Sequence, residues 1–186
     1  QPLNYYWQVD SSAFAVNESC FNSASSSLCL QAVGDEHQQV NAQIVLERLP
    51  LNYVNQLLPT TLSLQGQTGG KLVYTGDSND WLAKLNLSAS DARLGIGFAD
   101  EVELVDLSRA TVAADFGNTS RKVALALVAP SYFDLDMSAQ IASAMDAPLA
   151  ADLKLRLPDI RWLEKVEPAL TGTNGEFDLV LNAFGR

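Results

Sequence analysis

The chain has 186 residues, of which 47% are hydrophobic and 18% charged, and it carries a formal net charge of −10 with a single histidine. Such a hydrophobic share belongs to a chain that folds around apolar side chains rather than to a disordered one. A surface this acidic repels phosphate backbones and lacks the basic clusters that bind anionic bilayers, which argues against nucleic acid or a charged membrane surface as partner. No stretch approaches the ~20 apolar residues of a membrane-spanning helix. The opening Gln1-Pro2-Leu3 has no leader-like features, and the closing Phe184-Gly185-Arg186 sits in structured sequence, so the chain reads as a piece of something larger.

In chain order, the first feature is the cysteine pair Cys20 and Cys29, separated by the Asn/Ser-rich segment 21–28. That segment reads as a polar turn between two strands, which brings the thiols together. A disulfide there contributes roughly 2–3 kcal/mol and points to an oxidising compartment; the alternative is two buried free thiols in a cytosolic protein. A second polar turn, Gly34-Asp35-Glu36-His37-Gln38, holds the single histidine, so no metal site is expected. Pro50 to Leu58 follows as a short helix, with Pro50 at its first position, Leu51, Val54 and Leu57/Leu58 at helical spacing, and Pro59 as its stop. Gly66, Gly69 and Gly70 lack the Gly-Lys-Ser/Thr of a phosphate loop and read as a turn between strands.

From Trp81 onward the sequence alternates. Trp81, Ala83, Leu85, Leu87 and Ala89 form one apolar series, and Ala92, Leu94, Ile96 and Phe98 a second. Further series run through Phe133, Leu135, Met137, Ala139 and Ile141, through Leu149, Ala151, Leu153, Leu155 and Leu157, and through Phe177, Leu179, Leu181 and Ala183. A period of two leaves one face apolar and the other wet, as in half-buried antiparallel strands, and excludes long helices. A second short helix is expected over 158–166, with Ile160, Leu163 and Val166 on one face and Pro168 beyond. Trp81 and Trp162 read as core or edge packing.

The two helical segments belong to a repeat. Each copy passes from Leu-Pro through a short helix and a proline into Leu-x-Gly, with the helix starts (49 and 157) 108 residues apart and the Leu-x-Gly motifs (64 and 170) 106 apart. The expected organisation is one elongated unit over 1–186, divided internally at about 49–156 and 157–186, the second copy truncated.

No catalytic constellation emerges. Asp134 with Asp136, and Glu101 with Glu103, are carboxylate pairs on single strand faces where alternation predicts solvent, with no histidine or third acid beside them. The lone His37 leaves no Ser/His/Asp arrangement, and the triplets at Asn17, Asn86 and Asn118 matter only as glycosylation sequons in a secretory protein. What remains is the apolar face. A single sheet and two short helices cannot cover so many inward side chains, so the sheet curls on itself or curves into a trough for an apolar ligand. The fold expected is mostly β, an elongated, curved, antiparallel-rich sheet with an open apolar groove and two short helices. Candidate groove-lining residues are Leu85, Leu87, Leu94, Ile96, Phe98, Leu125, Leu127, Phe133, Leu135, Met137, Ile141, Leu153, Leu155, Phe177, Leu179 and Leu181. The ligand such a face suits is an acyl chain or an unfolded β-strand, and no cofactor is expected; a closed lipocalin-like barrel is the third possibility, disfavoured by the repeat.

Leu49-Pro50-Leu51-x-x-Val54-x-x-Leu57-Leu58-Pro59, with Leu62-Ser63-Leu64-Gln65-Gly66 and Gly70-Lys71-Leu72, resembles the TamB family, the inner-membrane-anchored subunit of the bacterial translocation and assembly module that carries the DUF490 region. Leu28-Cys29-Leu30-Gln31-Ala32 and the alternating 40–46 segment are similar to it as well. The resemblance covers 1–100 and, through the repeat, 150–186. It implies a Gram-negative periplasmic location, a taco-like β-structure with an apolar groove, a TamA-like outer-membrane barrel as partner of the full-length protein, and work in autotransporter assembly and phospholipid movement.

Overall fold

The computed structural model describes residues 4–98, 101–142, 149–165 and 168–185. Twelve strands form one antiparallel sheet: β1 (Tyr5–Gln8), β2 (Ala13–Asn22), β3 (Ser27–Gly34), β4 (Val40–Pro50), β5 (Leu62–Gly76), β6 (Trp81–Phe98), β7 (Glu101–Asp106), β8 (Arg109–Gly117), β9 (Ser120–Ala129), β10 (Phe133–Ala142), β11 (Leu149–Leu157) and β12 (Phe177–Gly185). Each strand pairs with its neighbour in sequence, except that the 18-residue β6 carries two partners end to end. Its second half pairs with β7 and its first half with β8. The sheet is not closed into a barrel; among the described residues β1 and β12 end the strand order, and β7 is paired on one side only.

Among the described residues, three short 3-10 helices interrupt the meander: η1 (Leu51–Leu57), η2 (Ile160–Lys165) and η3 (Pro168–Leu170). Pro50 does not open η1 as expected but ends β4 in an extended conformation (φ −61, ψ 128). Its fixed φ suits either state, and the cross-strand pairing of Pro50 with Gln67 selects the extended one. Pro168, expected to lie beyond the second helix, opens η3, where a missing N–H costs nothing. Val166, expected on the apolar face of that helix, lies outside the described residues.

The glycines 66, 69 and 70 are not a turn; all three lie inside β5. Asp91 (φ 50) and Ala92 form a bulge on β6 opposite Gly66 (φ 109), where the β5–β6 register shifts. A side chain at Gly70 would run into the Asn86 carbonyl and the side chain of Leu87 on β6, so glycine here permits close approach of neighbouring strands. The bulge also explains a change of phase in the sequence. Apolar positions in β6 are odd up to Ala89 and even from Ala92, and the left-handed Asp91 between them keeps both series on one face of a single strand. Arg48 (φ 55) does the same in β4, between Leu46 and Leu49. Such bulges bend and twist the strands that carry them.

The sheet covers its apolar face only in part. A small buried cluster of Val105, Ala129, Phe133 and Leu157 sits at one end, with Tyr132, Leu135, Leu155, Ile160, Trp162 and Leu163 packed on it. At the opposite end of the strands Tyr5, Tyr6 and Trp7 are largely exposed, although Trp7 stacks on Phe14 and Tyr74 on Trp81, each at 6.0 Å between ring centres.

Candidate functional site

Strand register turns the alternation of single strands into continuous apolar rows. One row runs Phe21–Leu28–Leu46–Gly70–Leu87–Val112–Leu125–Met137–Leu153–Leu181, crossing ten strands without a polar residue. At the usual strand spacing it extends about 40 Å, more than the ~30 Å hydrocarbon thickness of a bilayer. The opposite face is charged in an alternating pattern: Lys84, Asp115 and Lys122 lie in direct register, as do Asp134, Arg156 and Asp178. Opposite charges across neighbouring strands support the pairing and keep this face in water.

The apolar face deepens into a groove of about 730 Å³ beneath the helices. Its floor is made by Leu62, Leu64, Leu87, Ala92, Leu94, Val112, Leu125, Leu127, Leu135 and Leu155, and its far wall by Phe133 and Leu157. Leu51, Val54 and Leu58 of the η1 passage close one side, and Trp162 and Leu163 of η2 the other. η1 is held by Asn55, whose side-chain oxygen accepts the Leu64 backbone N–H at 2.7 Å, and by the buried Leu51.

The residues expected to line a groove separate into groups. Leu87, Leu94, Leu125, Leu127, Phe133, Leu135 and Leu155 border this groove, and Ile96 packs against the buried cluster at its end. Leu85, Met137, Ile141, Leu153, Phe177, Leu179 and Leu181 fall on strand rows continuous with that face but outside the groove, several well exposed: Met137, Ile141, Phe177 and Leu181 are 42–52% accessible. Phe98 ends β6, and its side chain lies outside the described ones. Missed from the sequence were Leu62, Leu64 and Val112 on the floor and the whole helical contribution. The helical spacing of Leu51, Val54 and Leu58 had marked a face that packs on the sheet, and that face is a groove wall.

Charge enters the apolar face beside the groove at Glu103, and by register also at Glu101 and Arg121. Glu103, expected in solvent, is paired in register with Ile96, and its side chain is only 19% exposed. It accepts hydrogen bonds from Lys165 Nζ at 2.7 Å and Tyr132 Oη at 2.8 Å. The Lys165 ammonium first, and the Tyr132 hydroxyl second, hold the Glu103 carboxyl below the ordinary carboxylate value, while the same bond raises the Tyr132 phenol. Asp134 and Asp136 stand on the charged face, where both approach Arg109, at 3.7 and 3.4 Å. They form a surface ion cluster rather than an acid–base pair.

Cys20 and Cys29 are cross-strand partners in the β2–β3 hairpin and form a disulfide. The turn between them is shorter than expected, since Phe21, Asn22, Ser27 and Leu28 are all paired and only 23–26 remain. Glu18 completes a group of three potential metal ligands within 4.8 Å, yet both sulfurs are committed to the disulfide. His37 stands in the β3–β4 turn, its backbone N–H donated to the Asp35 carboxylate at 2.9 Å. Among the described residues, no helix is long and apolar enough to cross a membrane.

No curated protein and no solved structure matches the chain. A family model does: the one described as TamB, N-terminal domain, matches residues 1–182. The chain belongs to the TamB family, and the part it represents is that family's N-terminal domain.

Proposed function

We propose that this domain is a passive apolar track of a periplasmic TamB protein, on which phospholipid acyl chains are shielded from water while their head groups stay outside. The observation that carries this reading is the ten-strand apolar row leading into a groove of about 730 Å³ whose walls carry no charged side chain. Burying a methylene gains about 0.8 kcal/mol, so ten methylenes gain roughly 8 kcal/mol before the costs of association. That suffices to hold one chain without any catalytic residue, and no enzymatic step is proposed. The cross-strand disulfide suits an oxidising compartment such as the periplasm. In the full-length protein, anchored in the inner membrane and facing a TamA-like outer-membrane barrel, such a track serves inner-to-outer transport of phospholipid and supports autotransporter assembly.

The test is native mass spectrometry with lipid extraction on the domain purified from a bacterial envelope. Co-purifying phospholipid, lost on Leu135→Arg or Leu155→Asp with the β-sheet spectrum intact, is the expected result. A folded Leu135→Arg protein that retains full activity in the full-length context would sink the reading.

A second reading keeps the surface and changes the client. β12 ends the strand order, and the face it shares with Asp178 and Asn182 also carries Val180 and Phe184, which are 59% and 80% exposed. Such an edge suits an outer-membrane β-strand added alongside it. Peptide rather than lipid crosslinks from position 180 distinguish the two.

A further inference from the structure

The apolar face changes character along its strands. A middle row is aliphatic, Leu72–Leu85–Ala114–Val123–Ala139–Ala151. The next row, towards the end of the strands opposite the buried cluster, reads Tyr74–Ala83–Phe116–Arg121–Ile141–Leu149. Trp81, two residues beyond Ala83 on β6, stacks on Tyr74. Among the described residues the Tyr74 hydroxyl and the Trp81 indole N–H have no hydrogen-bond partner, and neither tip is buried. Rings with an apolar body and a polar tip belong where apolar surface meets water. These rings stand inside the sheet, on β5, β6 and β8, so this boundary does not depend on the exposed aromatic residues of β1. Arg121 adds a guanidinium to it. The residue is exposed, stands in register between Phe116 and Ile141, and forms no ion pair among the described residues, whereas Glu103 is neutralised by Lys165. An unpaired guanidinium on an apolar face is a fixed fork of donors for the oxygens of a phosphate or carboxylate. With a net charge of −10 around it, a ligand that is neutral overall suits it better than a free anion.

We infer that Arg121 is the head-group subsite of the apolar track: its guanidinium takes the phosphate of a zwitterionic phosphodiester head while the acyl chain runs down the strands into the groove. Arg121 and Leu125, which is on the groove floor, are four residues apart on β9, about 13 Å along the strand. That is close to half of the ~30 Å hydrocarbon core of a bilayer, the depth one acyl chain covers. A chain whose head is held at Arg121 therefore ends over the groove floor, passing Val123 with Ala114 and Ala139 on either side. The subsite gives bound lipids one orientation, heads at the aromatic boundary and tails towards η1 and η2. It rests on the acyl-track reading and adds to it the chemistry of the head group.

The experiment titrates the domain calorimetrically with monomeric lauroyl-lysophosphatidylcholine, monolauroylglycerol, dodecanoate and glycerophosphocholine. The first two share chain and ester, both are neutral overall, and they differ by the phosphodiester head. The wild type is expected to bind the lysolipid roughly three- to tenfold more tightly than monolauroylglycerol. Arg121→Gln should erase that preference through the lysolipid alone. Lys122→Gln removes the same charge one residue further on, from the opposite face where Lys122 is in register with Asp115, and should keep the preference. A preference equal in wild type and Arg121→Gln overturns the subsite and leaves the acyl track standing. Dodecanoate that gains as much from Arg121 as the lysolipid does overturns the zwitterionic head group. Glycerophosphocholine bound as tightly as the lysolipid means that the chain contributes nothing, which removes the acyl-track reading and the lipid assignment of Arg121 with it.

Discussion

The capped and open ends of the same sheet are built from the same kind of strand and behave as different materials. At the capped end, Val105, Ala129, Phe133 and Leu157 are 0–9% exposed, because η2 and the β9–β10 turn fold back over the apolar face. At the open end the aromatic residues of β1 are 59–73% exposed, and Leu149 of β11 is 40% exposed. The strand pattern does not distinguish the two ends; β10 contributes buried Phe133 at one and exposed Ile141 at the other. What differs is whether a returning segment covers the face. Packing there supplies stability, and its absence elsewhere leaves apolar surface available for something that is not part of this chain.

That contrast can be broken by mutation. Phe133→Ala removes a buried ring from the capped end and is expected to cost about 3–5 kcal/mol, read as a lower urea midpoint. Cys20→Ser should cost roughly 2–3 kcal/mol in the same assay, and a reducing agent should lower the wild type to the same level. Leu181→Ala, on the same face but half exposed, should cost no more than about 1 kcal/mol; a loss as large as that of Phe133→Ala would mean that the open end is packed in solution. Smallest of all is Asp106→Asn, which breaks an exposed pair with Arg93 and should change stability by at most ~0.5 kcal/mol.

Acid sharpens the comparison because Glu103, a lowered carboxylate at the capped end, is held chiefly by side chains of other elements, whereas Asp77, at the open end, is held chiefly by the backbone of its own turn. Glu103 has a folded pKa below its ordinary value of 4.5, so the stability it contributes is complete above that value and is lost as pH falls through the folded pKa. Near-ultraviolet signals from Trp162 and Tyr132 should therefore weaken below about pH 4.5 while the wild-type strand signal persists, and Glu103→Gln should abolish that pH dependence.

Much of the architecture was legible because antiparallel strands with one wet face leave a period-two trace. The two phases of apolar residues around Asp91 were visible in the sequence; that they belong to one strand was not, because nothing local marks Asp91 as left-handed. Glycines 66 and 70 were misread for a related reason. A Gly-rich stretch signals a turn by default, and only the neighbouring strand reveals that Gly70 is there for want of space. Of the site, the Phe133 wall and much of the floor followed from alternation in β6, β10 and β11, but Leu62, Leu64 and Val112 did not. Nor did the helical walls, since the meeting of η1 and η2 over the face depends on where distant strands place them. Glu103 was misjudged because parity along β7 could not be fixed without its pairing to β6.

The meander has a consequence for how the molecule comes into being. Nearly every pairing joins strands that are adjacent in the sequence, and even the exception only inserts the short β7 beside the far half of β6. Each new hairpin closes a short loop onto a template already present, so the entropic cost of closure is met in small steps. A sheet of this kind can assemble in the order in which it is delivered, one strand at a time. In evolution it can also gain or lose strands at its edges without disturbing the register of the rest.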